Sequence, residues 1–489
     1  MTSRRARVAL AFLVIGYFAV EAVAGAPRSP LVPPMPPGVA VPGWTARLAR
    51  LVGADRLGVG ALIAVGIALM AGLVAAFAIL LLEAWHGRVG VWAVVGSAAA
   101  AIAITTAGPL MLSRDVFSYA AYGRIVALHG ANPYVVAPSR FATDPFTVAA
   151  SPQYADVSSV YGPAFTLLSA AIARAWSRSP AATIEVFKMV AGLSVLMAVG
   201  VLAAMPLKRR AFAAAAIGLN PVLVVHVVGG GHNDALLALL LVVAASLAVR
   251  RQAGATLLVT TLLTLATLVK AFAAVPLLIW IWSLVRAAPP RERLRIAASH
   301  LGVAALLAVV ASVPFIAGTR TLRWIVNASS LEGWASGPRL VARAAGAVGL
   351  GSAGARAVDA AFLLAFAVIL WRILSLAVPQ AATRDWAWAL LLLALALPYL
   401  VPWYVAWFLP LLVVAVDGKL LRIGLSAGCL LALTGIPSDP TFASGAWHAM
   451  VFAVHYVAAP VMLGLLALAA RTIWEETREP ADHLAPGGG

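Results

Sequence analysis

The chain has 489 residues, 63% of them hydrophobic and only 11% charged, with a formal net charge of +17 at pH 7. Soluble globular domains carry about 25% charged residues, so an ordinary soluble enzyme is excluded and an integral membrane protein is indicated. The excess of Lys and Arg reads as cytoplasmic clusters that fix topology, and no nucleic-acid partner is expected.

Many apolar runs approach the roughly 20 residues that cross a bilayer as a helix. Strand-like alternation is absent, so helices satisfy the backbone in lipid and a barrel does not. The single cysteine, Cys429, leaves no intrachain disulfide and no cysteine-rich metal site. The expected fold class is an all-α polytopic membrane protein.

The first helix, Val8 to Ala24, follows Arg4, Arg5 and Arg7, which places the N-terminus in the cytoplasm. Small-residue sites such as Ala22-Val23-Ala24 resemble cleavage sites; a signal anchor is the preferred reading. The proline-rich stretch from Ala26 to Arg56 reads as an extended connector outside. Runs at 58–83 and 90–112 follow, joined by His86-Gly87-Arg88. A long polar and aromatic passage, residues 113–183, then emerges as a large extracytoplasmic loop. Its apolar stretch 164–177 is too short to cross and is expected to lie along the outer face as a juxtamembrane helix.

Span 184–206 returns to Lys208-Arg209-Arg210, 211–229 exits to Gly229–Asp234, and 235–249 returns to Arg250-Arg251. The stretch 254–286 must cross an even number of times, and Lys270 marks its split at the outer side. Span 297–317 leads to a second outer loop, 318–356, and 357–378 returns to Arg384. Four more spans fill 386–471, and the tail 472–489 is expected to be disordered and cytoplasmic. The total is about 14 spans in one domain, residues 1–471.

With this parity the polar residues collect on the outer face. Asp115, Tyr119, Tyr122, Arg124, His129, Asp144, Asp156 and Tyr161 lie in the first loop. His232, Asp234, Lys270, Arg320, Arg323, Glu332, Arg339, Arg343, Asp439 and His448 share that side. Asp115 sits at the end of a span, where a partly desolvated carboxylate gains basicity. It can equally cap a helix or pair with Arg114 or Arg124. Lys270 interrupts an apolar run, where a lysine is costly, and it suits a phosphate; snorkelling to headgroups is the bland alternative. Arg320 and Arg323 break the positive-inside tendency and suit a phosphate too. Trp403, Tyr404 and Trp407 read as interfacial belt aromatics, with sugar stacking as the lesser alternative. No metal site can be located, although a divalent metal remains open as a cofactor. A transporter or flippase would place charges inside the spans and repeat its halves, and neither feature is apparent.

The string DVFSYAAYGRIVALHGANPY, followed by YGP, resembles the polyprenyl-phosphate-sugar-dependent GT-C glycosyltransferases. NPVLVVHVVGGGHNDALL, LVKAFAAVPLL and PWYVAWFLPLL are similar to later blocks of actinobacterial α-1,6-mannosyltransferases that build lipomannan-type glycolipids. The resemblance spans residues from Arg114 to Pro410. It implies a GT-C-like bundle with a catalytic Asp115, a polyprenyl-phosphate sugar donor, and a glycan or glycolipid acceptor. It also implies transfer with inversion. GT-C enzymes often carry a second acid nearby; here Val116 follows Asp115, which leaves Asp144, Asp156 or neither. From their chemistry and their common side, donor-phosphate binding is expected of Lys270, Arg320 and Arg323, and substrate binding of Tyr119, Tyr122, Arg124, His232, Asp234 and Tyr161. Mannose is the expected sugar, with glucose or arabinose as alternatives.

Overall fold

Apolar helices dominate the chain, as its composition requires of a protein whose backbone must hydrogen-bond without water. The computed structural model describes residues 2–250, 254–320, 333, 335–415, 418–441 and 444–478. Among them the architecture is all-helical, with a lone bridge between Ala317 and Thr319.

In order, the helices that frame the site are α1 (Arg4–Ala24), α2 (Val59–Trp85), α3 (Val91–Thr106), α4 (Asp115–Ala127), α5 (Pro163–Ala175), α6 (Pro180–Ala204) and α7 (Arg210–Gly218). They continue as α8 (Asp234–Arg250), α9 (Ala255–Val269), α10 (Ala274–Ala287), α11 (Pro290–Ser312), α12 (Gly351–Leu376) and α13 (Val405–Ala415). Among the described residues six helices are long and apolar enough to cross a membrane, or seven if α7 and Val222–Val228, bent by 41°, form one broken span. The expected count of about 14 is not reached on length and composition; it included shorter apolar helices such as α3 and α9. Two long helices, α11 and α12, bury almost none of their surface in protein, which leaves their apolar sides to lipid.

The passage 113–183 is a helical cap rather than an open loop. It holds α4, three short proline-started turns and α5. Helices α4 and α5 lie against each other because glycine opens the contact: a Cβ at Gly123 would sit 2.3 Å from the Ser169 carbonyl oxygen. The cap is also tied to the bundle. Gly162 donates to the Val269 carbonyl at 3.1 Å, at the end of α9. Lys188, fully buried on α6, donates to the carbonyls of Gly108 and, at 2.9 Å, of Pro109, which fixes the strand of chain leading into Asp115. Glu21, fully buried on α1, lies close under Gly108 and within electrostatic reach of Lys188.

At the far end, the last helix runs to Glu476, past the expected start of a disordered tail. An i,i+4 pair of Arg471 with Glu475 at 2.6 Å and a bond from Arg372 to the Thr477 carbonyl at 2.8 Å extend it. Arg323 and Glu332 lie outside the described residues.

Gly162 approaches backbone so closely that a Cβ there would stand 2.1 Å from the Leu268 oxygen. Gly162→Ala is expected to push the cap off α9 and destabilise the protein by about 1–3 kcal/mol, as overpacking does. Thermal unfolding in detergent checks this; an unchanged midpoint would show that the cap is not fastened there.

Candidate functional site

Asp115 is the first residue of α4, and its N–H donates to the Ser113 hydroxyl at 3.1 Å. Neither nearby arginine neutralises it. Arg114 turns away to Asp439 and to the Ala149 carbonyl at 3.4 Å, while Arg124 pairs with Asp144 at 2.6 Å and donates to the Ser177 carbonyl at 3.0 Å. The alternative in which Asp115 is held by an arginine is thereby removed. The group it does meet is His232, whose Nδ1 lies 3.4 Å from the Asp115 carboxylate and 3.4 Å from the Tyr119 hydroxyl.

His232 reaches this position because the chain turns on glycines. Gly231 takes φ +63°, a conformation that L side chains rarely adopt. A Cβ at Gly230 would collide with the His232 ring, 2.7 Å away. The imidazole stacks on Trp403 with centroids 3.9 Å apart, and Tyr119 also donates to Asn233 at 3.3 Å. The buried Nε2 of His232 has no hydrogen-bond partner within the protein.

Across from Asp115, the backbone leaves helical geometry at Lys270, with φ −149° and ψ 123°, between α9 and a single turn of helix before α10. Its ammonium donates to Asp234 at 2.7 Å and lies 5.1 Å and 5.3 Å from the ring centres of Tyr404 and Trp407. The Trp407 indole N–H donates to the same Asp234 oxygen, and the other oxygen is buried without a partner. This explains the lysine inside an apolar run: it is paired and caged by rings, not extended to the headgroups.

Asp115 and Lys270 line one cavity, with Tyr154, Tyr161, Phe272, Tyr399, Trp403 and Tyr404 as the remaining ring wall. The space measures about 40 Å³. A second cavity of about 200 Å³, reaching Leu400, Trp447, Met450 and Ser438, shares Tyr399 and Trp403 with it. The two rings are therefore the partition between the spaces. Burial, reinforced by Asp115, pushes the Tyr161 phenol well above its ordinary value, so it stays protonated and can donate. Tyr154 and Tyr399 hydrogen-bond each other at 3.0 Å.

Of the residues singled out in the sequence, Asp115, Lys270, His232, Asp234, Tyr119 and Tyr161 come together here. Tyr122 and Arg124 do not: the Tyr122 hydroxyl donates to the Val157 carbonyl at 2.8 Å, and Arg124 holds the cap together through Asp144. Arg320 is exposed and does not line this cavity, and Arg323 is outside the described residues. Asp144 caps its own short helix by accepting from Phe146. Trp403, Tyr404 and Trp407 are buried in the protein, at 9%, 5% and 0% exposure, so they are not belt aromatics. Tyr154, Phe272 and Tyr399 carried no sequence signal beyond being aromatic. Among the described residues no three His, Cys, Asp or Glu side chains are grouped to hold a metal.

A family model described as the N-terminal domain of alpha-(1->6)-mannopyranosyltransferases matches residues 32–286, more than half of the chain. The chain belongs to the alpha-(1->6)-mannopyranosyltransferase family. The matched segment ends within α10, so it contains Asp115, His232, Asp234 and Lys270, whereas the ring partition of Tyr399 and Trp403 comes from beyond it. No curated protein and no solved structure matches the chain.

Lys270→Met in this mannosyltransferase strands the fully buried Asp234 carboxylate, which is expected to cost about 3–5 kcal/mol of stability. The double variant Lys270→Met with Asp234→Asn is expected to recover most of that loss and none of the transfer. Thermal unfolding beside a transfer assay in membranes checks both; recovered activity in the double variant would show that Lys270 serves only as a counter-ion.

Proposed function

We propose that this mannosyltransferase takes its sugar from a polyprenyl-phosphate donor and passes it, with inversion, to a hydroxyl of a glycan or glycolipid at the extracytoplasmic membrane face. The observation that carries the reading is that a carboxylate, Asp115, and a desolvated ammonium, Lys270, line the same cavity. A displacement from a glycosyl phosphate needs a base for the incoming hydroxyl and positive charge for the departing phosphate.

In this reading Asp115 takes the proton of the acceptor hydroxyl as that oxygen attacks the anomeric carbon. The bond from that carbon to the phosphate oxygen breaks, and its electron pair leaves with the lipid phosphate. Lys270 has three N–H donors and spends one on Asp234, so two remain for the phosphate oxygens. The growing negative charge is thus met by an ammonium in a dry setting, where its field is strong. One displacement inverts the anomeric centre without a covalent intermediate. His232, in the tautomer protonated at Nδ1, donates to Asp115 and holds the carboxylate toward the cavity; Tyr161 supplies a second donor there.

A cavity of about 40 Å³ does not admit a hexose, since ligand pockets run to roughly 300 Å³ or more. Substrate entry therefore requires Tyr399 and Trp403 to swing, which merges this space with the larger one beside it. Stacking of the sugar on these rings then compensates for displacing them.

Asp115→Asn keeps the shape of the side chain and removes its basicity. Transfer from labelled polyprenyl-phosphomannose in membranes is expected to fall by at least about 10²-fold at unchanged protein level, the usual weight of a general base. Full transfer by that variant would end the assignment.

A further inference from the structure

A second charged cavity lies at the opposite end of the bundle from Asp115. Helix α6 runs between the two: from Lys188, which holds the Gly108 and Pro109 carbonyls ahead of Asp115, to Ala204 the helix rises about 24 Å. The cavity measures about 490 Å³ and is walled by the turn that ends α2 and the turn that ends α6. Trp85, His86, Lys208, Arg209 and Arg210 supply its side chains, and no acidic residue lines it.

The wall is built, not incidental. The Arg209 guanidinium lies 3.8 Å over the Trp85 ring, and its Nε donates to the Trp85 carbonyl at 3.2 Å, so both are held. Helix α7 starts at Arg210 without a side-chain cap, and Ala211 of its first turn lines the space, so uncapped backbone N–H groups add to the positive field there. The nearest acid, Glu83, is already engaged by the Ser3 hydroxyl at 2.6 Å and by Arg88 at 3.5 Å. Lys208 and Arg210 are exposed and make no ion pair in the described structure. The apolar surface beside the cavity is equally open: Leu82 and Trp92, one turn away on α2 and α3, are 62% and 76% exposed.

We infer that this cavity binds the phosphate headgroup of an anionic glycerophospholipid. Cations with hydrogen to spare match phosphate oxygens, and a basic pocket between helix ends on the Lys- and Arg-rich side is where such headgroups collect. The exposed Leu82 and Trp92 give the acyl chains a surface, which a soluble phosphate has no use for. Volume agrees: the space is far larger than one inorganic phosphate. The site is independent of the transfer chemistry, since no residue in it approaches Asp115 or Lys270.

The test uses the whole chain purified in detergent, with native mass spectrometry and thermal unfolding as readouts. Phosphatidylglycerol and phosphatidylcholine of identical acyl chains are compared in competition, and millimolar inorganic phosphate forms a third arm. Phosphatidylglycerol is expected to be retained selectively and to raise the unfolding midpoint. Lys208→Gln with Arg210→Gln is expected to weaken that lipid by about 30-fold, the value of two surface cations. Equal retention of the two lipids by the unaltered chain overturns the inference, and that arm needs no variant to fold. So does an equal midpoint shift from inorganic phosphate alone, or undiminished lipid binding by a folded double variant.

Discussion

The ion pair between Lys270 and Asp234 is the constraint on which the site depends. A lone ammonium or carboxylate inside an apolar bundle is too costly to keep, so each requires the other. Their meeting needs the break after α9, where Lys270 leaves helical geometry, to face the start of α8, where Asp234 begins a helix. Trp407 on α13 closes the arrangement by donating to the same carboxylate. Three separated stretches of sequence are thereby brought to one point, and the ring cage around Lys270 comes with them. The ammonium has three N–H donors and spends one on this carboxylate.

Asp115 is positioned by a different kind of device. Its own arginine neighbours are drawn off, Arg114 to Asp439 and Arg124 to Asp144, so the carboxylate is left to His232 and the cavity. The contact of Arg114 with Asp439 joins the start of α4 to the C-terminal part of the chain, which also contributes Tyr399 and Trp403. The matched family domain therefore supplies the charged groups, and the remainder supplies the rings of Tyr399 and Trp403 that part the two cavities.

Much of this was legible in the residues. Composition and the lengths of the apolar runs pointed to helices in a membrane, and the lysine in TLATLVKAFAAV and the carboxylate at the end of a span stood out, the two residues that line one cavity in the structure. What could not be read were partnerships across great sequence distance. Arg124 looks like a substrate arginine until Asp144 is found beside it. Trp403 and Tyr404 look like belt residues because an aromatic ring in an apolar stretch carries no mark of whether it faces lipid, core or cavity. Asp144 and Asp156 could not be separated as second acids; the structure gives Asp144 to Arg124 and a helix cap, away from Asp115. The expected span count rested on short apolar stretches as well. Helices α3 and α9 have 16 and 15 residues, and hydropathy alone does not say whether a helix of that length crosses.

The central claim is that Asp115 and Lys270 face one another across the sugar of a lipid-linked donor. A structure of the chain bound to an inert polyprenyl phosphonate analogue of the mannosyl donor tests it most directly. The account predicts the phosphonate oxygens within about 3 Å of the Lys270 ammonium, the usual span of a charge-assisted hydrogen bond. It also predicts the sugar between the displaced rings of Tyr399 and Trp403, with the Asp115 carboxylate open to the face opposite the phosphonate. A phosphonate bound away from Lys270, or a sugar whose attacked face is turned from Asp115, would contradict it.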